Sequence, residues 1–78
     1  MILYMFDLIC KDLKSYNTIK RRFYYQLKRS GIANSPFKTK SVIYVRDSLE
    51  KEADAFFLKW GGAIVVFKSH TEEVYQLL

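Results

Sequence analysis

A chain of 78 residues that is half hydrophobic and 17% aromatic has enough to bury for one small packed domain, which excludes a disordered chain. Its single cysteine excludes an internal disulfide, and no Cys/His cluster has zinc-ligand spacing, so a reducing, cytoplasmic setting is expected, with Cys10 a small buried apolar residue. No apolar run approaches the ~20 residues of a membrane span and no basic segment precedes an apolar core, so a soluble protein with no membrane partner is expected, and its size favours a homodimer.

In chain order, Ile2-Leu3-Tyr4-Met5-Phe6-Asp7-Leu8-Ile9-Cys10 is short, apolar and aromatic-rich, and predicts a central strand. The two-residue period puts Leu3, Met5, Asp7 and Ile9 on one face and Ile2, Tyr4, Phe6 and Leu8 on the other. After Ser15 as N-cap the period becomes helical: Tyr16, Ile19, Phe23 and Leu27 share a stripe, and Gly31 marks the stop. Asn34-Ser35-Pro36 signals a turn, with residues 37–40 as the near arm of a hairpin or a short bend, and Ser41-Val42-Ile43-Tyr44-Val45 reads as a strand. Asp47 with Glu50 resembles a capping box, Ser48 being the other candidate cap. The helix they open turns Leu49, Ala53, Phe56, Phe57 and Trp60 to one side and stops at Gly61-Gly62. Ala63-Ile64-Val65-Val66-Phe67 predicts a further buried strand and Ser69-His70-Thr71 a break; residues 72–78 fit either a short helix or a strand pairing with a partner chain.

This order predicts an α+β, ferredoxin-like βαββαβ domain spanning residues 1–78, an antiparallel sheet with two helices on one face. The other sheet face is then either solvated or covered by a second subunit.

The net charge of +5 is unevenly placed. Residues 1–46 carry ten Lys/Arg against two Asp/Glu, a balance of +8, and residues 47–78 carry −3. The first helix presents Lys20, Arg21, Arg22, Lys28 and Arg29 outward with Tyr24 and Tyr25 among them, and no carboxylate lies between Lys14 and Arg46. A face built only for solubility interleaves both signs, so an anionic partner is expected. Phosphates would pair with the cations, and tyrosines would stack on bases or hold the backbone. Lys38, Lys40 and Arg46 extend the basic region and also suit protection of a strand edge.

Asp7, a carboxylate inside an apolar strand, must be paired, hydrogen-bonded, solvated or bound to a metal. Three readings stand: a structural cap or ion pair, a ligand for Mg²⁺ or Mn²⁺ shared with a second copy across a two-fold axis, or an intersubunit hydrogen bond without chemistry. His70, the single histidine, is read as a surface residue in a loop with no acidic partner.

The order of elements and several short strings resemble the CRISPR-associated protein two family, small dimeric ferredoxin-like proteins of spacer acquisition. The strings are Met5-Phe6-Asp7-Leu8 ending the first strand, the basic helix from Lys20-Arg21-Arg22 to Leu27-Lys28-Arg29-Ser30-Gly31, and Ser41-Val42-Ile43-Tyr44. The acidic second helix and the β-branched last strand complete the resemblance, which spans about residues 2–68. The fold also resembles the C-terminal domain of phenylacetate-type transcriptional repressors and the virulence-associated protein D ribonucleases. The resemblance implies nucleic-acid binding, DNA or RNA, with Arg21, Arg22, Lys28 and Arg29 on the backbone. Where the family cleaves phosphodiesters it implies a metal-dependent endonuclease in which Asp7 is the catalytic and metal-holding residue. A non-catalytic architectural or regulatory subunit and a protein-interaction module are the alternatives.

Overall fold

The computed structural model describes residues 1–9, 12–33 and 39–78. Within them the chain forms β1 (Ile2–Leu8), α1 (Leu13–Ser30), β2 (Val42–Val45), a single 3₁₀ turn (Asp47–Leu49), α2 (Glu50–Leu58) and β3 (Ile64–His70). The strands make an antiparallel sheet in the order β2-β1-β3, so the apolar first strand is the central one, as its two-sided composition predicts. The architecture is α+β and ferredoxin-like. Cys10, Asn34-Ser35-Pro36 and Lys38, to which the sequence assigns a buried thiol, a turn and a basic contact, lie outside the described residues, as does the first half of the expected hairpin arm or bend over residues 37–40. Thr39, Lys40 and Ser41 form a bend before β2, in which the Thr39 N–H donates to the Val42 carbonyl at 3.2 Å.

Both helices pack on one face of the sheet because β1 turns Ile2, Tyr4 and Phe6 to that side, each no more than 4% exposed. They meet Ile43 and Val45 of β2, Phe23 and Leu27 of α1, Ala53, Phe56 and Phe57 of α2, and Ile64 of β3. Phe23 is the hub: its ring lies 5.2 Å from Phe6, 5.6 Å from Phe56 and 5.5 Å from Trp60, centroid to centroid. Tilted and edge-on pairs of this kind add stabilisation beyond the area they bury.

α1 ends at Gly31, whose φ of 70° is the left-handed cap that a side chain would strain. Its start differs from the expectation. Asp12, not Ser15, is the N-cap: its carboxylate accepts from the Lys14 N–H at 3.3 Å, and the Ser15 hydroxyl donates to the same carboxylate at 2.8 Å, a charge-assisted bond that makes Ser15 a partner of the cap. At α2 neither Asp47 nor Ser48 caps through its side chain; the Asp47 carboxylate pairs with the Met1 amino group, and the helix enters through the 3₁₀ turn.

β3 corrects the reading of its region twice. It runs on through Ser69 and His70, which pair with Leu3 and Ile2, so the expected break is strand. It is also an edge strand, with Val65 and Phe67 39% and 67% exposed on the sheet face opposite the helices. Residues 72–78 adopt neither a helix nor a strand, and Tyr75, Leu77 and Leu78 stand exposed.

Polar residues persist in β3 because they are tied to α2. Lys68 Nζ donates to Glu50 Oε2 and Asp54 Oδ2, both at 2.8 Å, Tyr4 donates its hydroxyl to Asp54 Oδ1 at 2.7 Å, and His70 Nε2 lies 2.6 Å from Glu50 Oε2. His70 therefore has the acidic partner the sequence reading denied it. Burial, with Asp54 adding to it, keeps the Tyr4 hydroxyl protonated well beyond the ordinary tyrosine range. The hydrogen bond from Lys68 is the chief reason that the Glu50 and Asp54 carboxyls titrate below their ordinary 4.5 and 3.8.

Depressed carboxyl values in the folded chain mean that this contribution to stability is complete above those ordinary values and is lost as pH falls below them. Lys68, raised above 10.5 by the same bonds, adds stability below that pH that is lost as pH rises through its folded value. The urea midpoint is thus expected to decline below about pH 4, and Lys68→Met should flatten that acid limb. An unchanged acid limb in the variant would place the pH dependence elsewhere.

Candidate nucleic-acid interface

α1 is amphipathic, with Phe23 and Leu27 buried and Tyr16 and Ile19 half-buried beside them, which turns the basic residues outward. Lys20, Arg21, Arg22, Tyr25, Lys28 and Arg29 are all exposed, and the helix from Leu13 to Ser30 contains no acidic residue. Among the described residues none of these cations pairs with a carboxylate; the ion pairs there join the amino terminus to Asp47, and Lys68 and His70 to α2. Lys28 and Arg29 in the last turn also complement the helix dipole, a structural benefit that holds with or without a ligand.

Four of the predicted residues come together. Lys20, Arg21, Tyr25 and Lys28 line a shallow groove of ≈ 550 Å³ along the outer flank of α1, joined by Asn17 and Tyr24. Arg29 sits beside it: its Nη1 donates to the Tyr25 hydroxyl at 2.7 Å and its guanidinium lies 5.4 Å from the ring centroid. Arg22 is exposed on α1 away from the groove lining. Lys40 lies in the bend before β2, where its backbone carbonyl accepts the hydroxyl of the groove residue Tyr24. Lys38 lies outside the described residues.

Tyr24 corrects the expectation of two exposed tyrosines. Its ring packs 5.3 Å from Phe23 and 6.3 Å from Phe6, centroid to centroid, so it is half-buried and forms the groove's wall. Its place beside Phe23 on the helix, one step from the core stripe, is the signal that could have shown this. Burial first, then Tyr16 and the charge of Asp7, raise its hydroxyl above the ordinary tyrosine value. Asn17, which the sequence reading passed over, lies one turn before Arg21 on the same flank.

Asp7 is exposed, on the sheet face that carries no helix, opposite Val65 in the ladder. It does not cap α1, a task Asp12 performs, and makes no hydrogen bond or ion pair with another described residue; its exposure lets solvent reach the charge. Around it the open face is apolar: Leu3 lies opposite Tyr44, and Met5 opposite Val42 and Phe67.

No group of three or more His, Cys, Asp or Glu among the described residues is placed to share one metal ion. As a donor, an exposed hard carboxylate suits Mg²⁺ or Mn²⁺, but each protomer offers one, so a second carboxylate has to come from a second copy. No helix of the structure is long and apolar enough to cross a membrane. No family model, curated protein or solved structure matches the chain.

Proposed function

We propose that the protein is a nucleic-acid-binding homodimer that takes the phosphate backbone along the outer face of α1. The observation that carries this reading is the carboxylate-free outer face of that helix, where Lys20, Arg21 and Lys28 gather around a groove without an ion-pair partner among the described residues. Cations left unpaired on one face are available to displace the counterions of a polyanion. The resemblance to the CRISPR-associated protein two family points the same way.

The second copy covers the open sheet face. Phe67, 67% exposed in the protomer, sits there beside Met5, Val65 and Leu3, an apolar layer that a small domain gains by burying. Covering it across a two-fold axis brings two Asp7 carboxylates towards one another, a like-charge arrangement that a divalent cation would relieve. Such a cation would supply charge neutralisation at a phosphodiester oxygen, which is the metal-dependent endonuclease reading of Asp7. The binding reading stands without it.

Anisotropy of a labelled oligonucleotide, followed over a series of salt concentrations, tests the binding. The logarithm of the affinity should fall against the logarithm of salt with a slope of about −2 to −4, for three to five phosphate contacts. Absence of binding at low salt would overturn the reading in favour of a protein-interaction module. For the enzymatic half, Asp7→Ala should abolish Mg²⁺- or Mn²⁺-dependent cleavage while leaving the sedimentation of the dimer unchanged and oligonucleotide affinity within about twofold. Equal cleavage by wild type and variant removes Asp7 from the mechanism.

A further inference from the structure

Resting on the nucleic-acid reading, we propose that the α1 groove takes an unpaired nucleotide, so that the ligand is a single strand, with Lys20, Arg21 and Lys28 on its phosphates and the ring of Tyr25 stacked on a base. Three observations carry it. First, Tyr25 is 60% exposed in the middle of the cation field, and its hydroxyl is engaged by Arg29, which leaves the ring as the part of the side chain offered outward. An aromatic ring kept in water among five cations has a use when a base can cover it.

Second, Arg29 lies over the same ring at 5.4 Å and so forms with it a composite aromatic and guanidinium platform, the pairing on which unstacked bases settle. Third, only the outer strip of α1 is open to a ligand. Its inner side is packed against β1 and α2 through Phe23 and Leu27, and one flank is tied to the bend before β2 by the bond from Tyr24 to the Lys40 carbonyl. What α1 can present to a duplex is a strip of cations for phosphates, and there the bases are stacked internally, leaving Tyr25 without a partner. The groove's ≈ 550 Å³ is bounded by a half-buried wall, Tyr24, and an amide, Asn17, able to hydrogen-bond a base edge.

The experiment compares four probes of equal phosphate number: a single-stranded DNA, the same sequence in RNA, an abasic single strand and a hairpin duplex. Each is titrated against wild type, Tyr25→Ala and Tyr25→Phe, with circular dichroism confirming that the variants are folded. The wild type should prefer the base-bearing single strands to the abasic strand by about tenfold, within the range of one base stacked on an aromatic ring. Tyr25→Ala should erase that preference while changing duplex and abasic binding by less than about twofold, and Tyr25→Phe should keep it. The two base-bearing arms tell which sugar the groove takes. Equal loss on all probes, or a loss in Tyr25→Phe as large as in Tyr25→Ala, overturns the stacking role while nucleic-acid binding survives. No binding of any probe by the wild type overturns both proposals.

Discussion

Replacing Lys20, Arg21 and Lys28 together by Gln is expected to weaken oligonucleotide binding about 100-fold at low salt. Three phosphate contacts at roughly 1 kcal/mol each set the size of the loss, since about 1.4 kcal/mol is a tenfold change. The salt slope should become shallower by about 2 units, because each lost contact on a single strand removes ~0.7 of a released counterion. All three side chains are exposed and none is ion-paired among the described residues, so the variant should unfold at the same urea concentration as wild type. Exchanging Lys51 and Lys59, which lie on the α2 side of the molecule, for Gln should alter binding by less than about threefold, the residual being net charge alone. If this double variant loses as much affinity per charge removed as the triple variant does, the groove has no special role and binding is a diffuse property of a basic protein.

Phe23→Ala is expected to cost about 3–5 kcal/mol of folding stability, the range for deleting a fully buried phenyl group. Phe23 is 0% exposed and its ring meets those of Phe6, Tyr24, Phe56, Phe57 and Trp60, so elements from across the domain border the resulting cavity. Because Phe23 belongs to α1 and the others to β1, α1, α2 and the turn that follows α2, the site cannot close by moving one side chain. Small domains hold only about 5–10 kcal/mol in total, so the variant should be marginal or unfolded at 37 °C by thermal denaturation. Leu13→Ala, at a position 74% exposed, serves as the control and should stay within about 0.5 kcal/mol. A Phe23→Ala melting curve close to wild type would mean that the aromatic cluster is not the core.

The same cluster explains which parts of the fold were legible in the chain. β1 and α1 carry long, unbroken periods, so the faces of Tyr4 and Phe6 and of Phe23 and Leu27 could be read directly. Gly31 marked the helix end because only its left-handed backbone closes α1 there. Asp12 was harder to see as the cap: Ser15 has the right chemistry three residues later, and in the structure its hydroxyl donates to the Asp12 carboxylate instead of capping the helix itself. β3 hid its last three residues because Lys68, Ser69 and His70 look like loop residues until Glu50 and Asp54 are brought beside Lys68 and His70, and that pairing exists only in the tertiary structure.

For the candidate interface, charge was legible and shape was not. The absence of carboxylates along α1 was plain in the sequence, as was the outward stripe of cations. That Tyr24 forms a wall while Tyr25 stays exposed beside Arg29 depends on the bend before β2 docking against the helix flank, a contact between residues sixteen apart. Asp7 stands out in the sequence as a charge within a half-buried strand, and in the protomer its side of the sheet is open. The question it poses is therefore one of assembly.

The most direct test of the central claim is a backbone amide NMR titration of the ¹⁵N-labelled protein with a short single-stranded oligonucleotide at low salt. The account predicts shift changes that saturate and cluster on α1 and the adjoining turn, at Asn17, Lys20, Arg21, Tyr24, Tyr25, Lys28 and Lys40, with α2 and residues 72–78 unmoved. Saturating changes centred on α2 or on the tail, or no changes at all, would contradict it.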